Sequence, residues 1–216
     1  MKCIIFGATG LVGQQLLQLV LHDPRVIEVI APTRKALSTH PKLRNPLVDF
    51  AHLPLDAHWW QADFALCALG TTMKQAGTRQ RFFEIDHDYV LQAASACQKA
   101  GTPTWVYNSS LGADPQAKSF YLQVKGQIES DLSQLGFASL SIVRPSFLDG
   151  GARPEHRVGE AIAIHIAKFI EPLLPERYRA VSTKKVASMM WQLAIMSAHG
   201  HKLIESEQIY QLPEVQ

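Results

Sequence analysis

The stretch Lys2-Cys3-Ile4-Ile5-Phe6-Gly7-Ala8-Thr9-Gly10-Leu11-Val12-Gly13 decides how the rest of the chain is read. Its first five residues form an apolar run of strand length, after which Gly7, Gly10 and Gly13 recur at every third position. A helical pattern follows from Leu11 to His22, with Leu11, Val12, Leu16, Val20 and Leu21 on its apolar face, and Asp23-Pro24 stops it. Each glycine has its own task in such a strand–turn–helix. Gly7 permits the tight turn, Gly10 lets backbone approach a diphosphate, and Gly13 lets the helix lie against the sheet. The start of the helix adds free N–H groups that favour an anion. The loop from Gly7 through Thr9, Gly10, Leu11 and Val12 to Gly13 is therefore a candidate dinucleotide cradle.

Outward from this unit, short apolar strands alternate with helices. Strands are predicted at Val26–Ala31, Leu47–Phe50, Phe64–Leu69, Thr104–Asn108 and Leu140–Val143. One helix is expected from Asp86 or Asp88 to Ala100, closed by Gly101, and another from Asp114-Pro115 to Gly136. This alternation implies an α/β architecture: a doubly wound parallel-sheet Rossmann fold, covered on both faces. After Pro145 the pattern changes. Residues 146–157 read as a loop rich in Gly, Pro, Arg and Asp, and helices follow at about 158–170 and 184–198. One domain over 1–216 is expected, with residues 146–216 contributing a small cap on the substrate side.

Composition narrows the class. The net charge of +2 and the scattered basic residues argue against a nucleic-acid partner. Cys3, Cys67 and Cys97 form no CxxC pair, and an odd count suggests reduced thiols. His199-Gly200-His201 is expected as an exposed turn rather than a metal site. No apolar run reaches the roughly 18 residues needed to span a bilayer, and with a strand predicted from Lys2 no leader is expected. The expectation is a cytoplasmic protein without metal or membrane partner.

The end of the second predicted strand selects the cofactor. A carboxylate there would take the adenosine ribose hydroxyls of NAD. The sequence has Thr33-Arg34-Lys35 instead, and the planar fork of Arg34 suits a 2′-phosphate, so NADP(H) is expected ahead of NAD. Farther on, Tyr121 and Lys125 stand four residues apart on one helix face, with Ser109-Ser110 at the end of the fifth strand. A phenol with a pKa of about 10 is a poor acid–base group at neutral pH unless a cation favours its phenolate. Lys125 supplies that cation, Ser109 holds a substrate oxygen, and Tyr121 passes the proton.

These blocks together resemble the short-chain dehydrogenase/reductase superfamily in its atypical, extended-like branch, and are tightest to Tat-interacting-protein-like oxidoreductases. The resemblance runs through residues 7–13, Val48-Asp49-Phe50, Leu69-Gly70-Thr71-Thr72, Asp88-Tyr89-Val90-Leu91, Ser109 to Asp114, Tyr121 to Gly126 and Arg144-Pro145, in family order. It implies that Asp49 and Phe50 approach adenine and that Leu69, Gly70 and Thr71 lie along the ribose and diphosphate. It further implies that Pro145 meets the nicotinamide end, with Ser146 and Phe147 beside it. Tyr121, Lys125 and Ser109 match the reactive triad, Ser109 fitting better than Ser110 because it lies twelve residues before the tyrosine. Many relatives carry an asparagine that organises a proton-relay water; the corresponding stretch here is Ile85-Asp86-His87-Asp88. The expected function is NADPH-dependent hydride transfer to a small carbonyl, or the reverse from an alcohol. A dinucleotide sensor with little catalysis is the alternative, a nucleotide-sugar epimerase a more distant one, and family analogy allows a homodimer.

Overall fold

The computed structural model describes residues 1–149 and 175–213. Its first unit follows the opening stretch: strand β1 (Lys2–Phe6), the glycine turn, and helix α1 (Leu11–His22). Ile4, Ile5 and Phe6 are fully buried, each stabilising the fold by about 1.5–3 kcal/mol through area removed from water. The chain continues through β2 (Glu28–Ile30), β3 (Leu43–Arg44) and β4 (Phe64–Cys67) to short helices α2 (Met73–Ala76) and α3 (Arg79–Phe83). A π-helical turn at Glu84–Asp88 joins α3 to α4 (Tyr89–Lys99). After β5 (Thr104–Asn108), α5 (Phe120–Gln134) and β6 (Ser139–Arg144) comes β7 (Leu148–Asp149). The last part holds β8 (Val181–Ser182), α6 (Thr183–Met196), β9 (Gly200–Glu205) and α7 (Ser206–Tyr210).

Seven strands form one parallel sheet in the order β3-β2-β1-β4-β5-β6-β9, the doubly wound arrangement. Leu16, Val20, Met190 and Ala194 of α1 and α6 fill one face, and Val90, Ala93, Ile128 and Leu132 of α4 and α5 fill the other. The strand order reverses between β1 and β4, so the crevice expected to hold a ligand opens at their carboxyl ends.

Several boundaries depart from the sequence reading. The third strand is Leu43–Arg44, not Leu47–Phe50; Leu47 makes only a single bridge to Thr33. The Asn45 amide fills the gap between strands, donating to the Ala31 carbonyl (2.6 Å) and the Thr33 hydroxyl (2.7 Å), and Pro46 has no N–H to extend the ladder. Asp86 and Asp88 cap nothing. The helical run starts earlier, where the Thr78 hydroxyl accepts the Arg81 N–H at 3.1 Å. Asp114-Pro115 precedes α5 without starting it, because Asp114 closes a local turn onto the Gln116 N–H (2.7 Å) and the helix begins at Phe120.

The loop predicted from residue 146 contains β7, and the helix expected at 158–170 lies outside the described residues. In the described part of the expected cap, α6 packs beneath α1 and β9 adds the seventh strand. His199-Gly200-His201 is thus not merely a turn, for Gly200 and His201 begin β9, although His201 stays exposed. Such an edge strand lacks the apolar alternation that would reveal it.

Candidate active site

The glycine turn is built for close backbone approach. Gly7 has φ of +78°, and a side-chain carbon there would lie 2.5 Å from the Ala68 carbonyl. A carbon at Gly13 would lie 1.9 Å from the Gly7 carbonyl oxygen. Gly10 occupies the N-cap of α1 and offers no side-chain cap, which leaves the N–H groups of the first turn facing the crevice. Thr9, Leu11 and Val12 complete the turn, Val12 with its side chain in the core. The turn therefore fits a dinucleotide diphosphate: Gly7 and Gly13 are required by the turn's own close packing, and Gly10 leaves its open side, where a side-chain carbon would meet nothing nearer than 3.4 Å, without a side chain.

The loop after β4 leans on this turn. Leu69 and Thr71 are half-buried and Gly70 is exposed. The Thr71 N–H donates to Asp86 Oδ2 at 2.7 Å. Asp86 is buried in the π turn, and its Oδ1 lies 3.0 Å from Lys125 Nζ. Lys125 in turn donates to the Tyr107 hydroxyl at 3.0 Å. Burial pulls the Lys125 ammonium down, but the Asp86 carboxylate, Tyr107 and Tyr121 outweigh it and carry the group well above the ordinary lysine value. Burial likewise pushes the Tyr107 phenol far up, and it remains neutral at physiological pH.

Tyr121 stands one turn before Lys125 on α5, half-buried against the Phe82 ring at 5.8 Å between centroids. Gly126 lets the loop before α5 press on the helix, since a side-chain carbon there would lie 2.2 Å from the Asp114 backbone.

Ser109 is also at this edge, but its hydroxyl proton goes to the Glu129 carboxylate. Glu129 is held by Arg144 Nε at 3.0 Å, and Arg144 reaches Glu205 at 3.2 Å. A hydroxyl committed in this way has no proton left for a substrate oxygen, which is the role expected of it. Ser110 is half-buried, and among the described residues its hydroxyl has only a 3.5 Å contact with the Leu111 carbonyl. Pro145 accepts the Leu111 N–H at 2.9 Å, tying the end of β6 to the serine loop.

At the adenine side, Arg34 and Lys35 are exposed at the end of β2 and enter no ion pair among the described residues. Asp49 is exposed, and its hydrogen bond with His52 (3.0 Å) holds its carboxyl below the usual range. Phe50 is buried and stacks on Tyr89 at 6.2 Å. No group of side chains among the described residues is arranged to hold a metal ion. An open depression of about 370 Å³, lined by Lys2, Gln61, Asp63 and Pro103, lies at the opposite edge of the sheet.

Sequence reasoning passed over Tyr107 and Glu129. Tyr107 sits inside an apolar strand and carries no motif. Glu129 does have a signal, because it follows Lys125 by one helical turn on the same face.

No family model matches the chain. Rat HTATIP2 is 32% identical over 213 residues, covering 96% of this chain and 87% of that protein. The mitochondrial protein fmp52 of Emericella nidulans is 32% identical over 171 residues, covering 74% and 71%. Among solved structures, MoeE5 in complex with UDP-glucuronic acid and NAD superposes with a TM-score of 0.75 at 17% identity, covering 95% of this chain and 76% of that one. The human epimerase family protein SDR39U1 with NADPH gives 0.58 at 16%, covering 95% and 74%. These two share the fold. The cytoplasmic expectation is overturned by the fungal relatives, which are named as mitochondrial proteins; three unpaired cysteines do not fix a compartment. With a relative at nearly one-third identity along almost its full length, on a sheet with the glycine turn at its switch point, the chain belongs to the HTATIP2 and Fmp52 family of NAD(P)-binding atypical short-chain dehydrogenase/reductases.

Proposed function

We propose that the chain is an NADPH-dependent reductase of small carbonyl compounds. The observation that carries this reading is that Lys125, one turn after Tyr121 on α5, reaches the loop packed on the glycine turn: a side-chain carbon at Gly70 would lie 3.6 Å from its Nζ, and one at Gly7 would lie 2.6 Å from the Leu69 nitrogen. The turn from Gly7 to Gly13 would hold the diphosphate, Leu69, Gly70 and Thr71 the ribose side, and Asp49 and Phe50 the adenine. Pro145 would border the nicotinamide. Arg34, with Lys35 beside it, supports NADPH over NADH, because free cations stand where NAD binding calls for a carboxylate.

When bound, the reduced nicotinamide supplies a hydride to a carbonyl carbon. Tyr121 donates its phenolic proton to the carbonyl oxygen, and solvent restores that proton to the phenolate. Lys125 bears the charge that steadies the phenolate as it forms. Ser110, rather than Ser109, has the free hydroxyl to hold the substrate oxygen. The committed hydroxyl of Ser109 is also the observation that favours a second reading, a dinucleotide sensor with little turnover.

The test is NADPH binding by thermal shift, followed by oxidation of bound NADPH across a panel of aldehydes and ketones. Tyr121→Phe is expected to keep NADPH affinity within about twofold while losing at least about a hundredfold in rate, the usual scale of general acid catalysis. Turnover retained by Tyr121→Phe would remove it as the proton donor. Binding without turnover on any carbonyl would favour the sensor.

A further inference from the structure

The turn that carries Arg34 and Lys35 is tied down by one side chain. Asn45 follows β3 directly, and its amide nitrogen donates to the Ala31 carbonyl at 2.6 Å and to the Thr33 hydroxyl at 2.7 Å. Its Oδ1 accepts the Leu37 N–H at 2.8 Å. These partners fix the orientation of the amide, because a carbonyl only accepts and an N–H only donates. Asn45 therefore holds the chain before Arg34 and the chain after Lys35 at once. The Thr33 hydroxyl donates to the Lys35 carbonyl at 2.6 Å, which closes the turn from within. Backbone bonds from the Thr33 N–H to the Pro46 carbonyl (3.1 Å) and from the Val48 N–H to the Thr33 carbonyl (2.9 Å) extend this frame toward Asp49 and Phe50. Thr33 is buried and Leu37 rests on the core, whereas Arg34, Lys35 and Ala36 are exposed. The frame thus holds out two adjacent cations that enter no ion pair among the described residues.

We propose that Asn45 is a positioning residue for cofactor choice, presetting the turn that presents Arg34 and Lys35 to the 2′-phosphate of NADPH. This inference rests on the NADPH reading of Arg34 and names the residue that makes the cation pair selective. The planar fork of Arg34 pairs with phosphate oxygens only from a defined backbone. Once the turn is untied, the productive arrangement becomes one of several, and the apparent affinity falls with the fraction of time it is populated. NADH carries a hydroxyl where NADPH carries the phosphate, so it gains little from the cations and little from the order of the turn. A side chain that merely held the fold together would affect both cofactors alike.

The experiment is calorimetric titration of the full chain with NADPH and with NADH. Wild type, Asn45→Ala, a variant carrying both Arg34→Ala and Lys35→Ala, and the triple variant are compared. Asn45→Ala is expected to weaken NADPH by about three- to tenfold, as for a turn populated roughly a tenth to a third of the time, and NADH by less than about twofold. In the protein lacking both cations, the same substitution is expected to change NADPH affinity by less than about twofold, since it acts through them. Equal loss of the two cofactors, no loss of either, or an undiminished effect without the cations overturns the proposal. Thr33→Val removes the link to the Lys35 carbonyl at nearly constant side-chain size and is expected to show the same selective loss. If Asn45→Ala does not fold, equal loss in Thr33→Val overturns the proposal in its place. Selective loss of NADPH on removing the cations, with none in Asn45→Ala, sinks the positioning role and leaves the NADPH reading standing. No selective loss on removing the cations sinks the 2′-phosphate role of Arg34, and the role of Asn45 with it.

Discussion

Arg34 stands beyond the carboxyl end of β2 without an acidic partner among the described residues, and its guanidinium carries five donors that suit an anion of the right shape. A hydrogen bond between charged groups contributes about 1.5–3 kcal/mol. Arg34→Ala is therefore expected to weaken NADPH by about ten- to a hundredfold and NADH by less than about threefold, as read by titration of each cofactor. Equal loss for both would discard the 2′-phosphate role. Residues of this kind are legible in a sequence because local spacing defines them: three glycines after a strand, a cation pair after the next, Tyr121 and Lys125 on one face of a helix. Asp86 was visible only as a departure from a pattern. Its pairing with Lys125 comes from tertiary packing across α5 and the π turn, which no local spacing encodes.

At the scale of elements, α1 ends in a clamp. Asp23 takes Arg25 through both carboxylate oxygens (2.9 and 2.6 Å) and accepts the Trp191 indole N–H from α6 at 3.1 Å. The bond to Arg25 is the chief reason the Asp23 carboxyl lies far below its ordinary value. A carboxylate depressed on folding stabilises the fold above its unfolded pKa of about 3.9 and loses that contribution as pH falls toward the depressed value. Asp23→Asn is expected to cost about 1–2 kcal/mol near pH 7, lowering Tm by a few degrees, with the gap to wild type closing below about pH 4. Thermal melts of both proteins from pH 7 to 3 check this, and a gap independent of pH would show that the charge is not what matters.

The same scale shows where local signals misled. Asp114-Pro115 has the chemistry of a helix start, yet its carboxylate closes a turn, and the loop is needed flat against Gly126. The strand β9 went unread because an exposed edge imposes no alternation on Gly200–Glu205. By contrast β1, α1 and β5 were read to the residue, since fully buried runs and an amphipathic face leave little choice of boundary.

Across the whole molecule, one charged chain fastens the active edge to the far side of the sheet. Glu129 of α5, Arg144 of β6 and Glu205 of β9 are linked in sequence, with Ser109 at one end. Breaking such a pair leaves a poorly solvated charge, whereas replacing both partners is far milder. Glu129→Ala is expected to cost about 3–5 kcal/mol in urea unfolding, and Glu129→Met with Arg144→Met markedly less. Equal losses would mean that packing volume, not charge, governs the site. The π turn has a wider consequence. Its residues sit one position out of α-helical register, with Asp86 aimed at Lys125 and His87 bonded to Asp131 of α5 at 2.8 Å. Deleting a single residue there would restore a regular helix and swing these side chains by about 100°. The sheet would still assemble, but without the Asp86–Lys125 pair. Length variation in this short segment is thus a marker of a rearranged Lys125 environment, readable from sequence before any protein is purified.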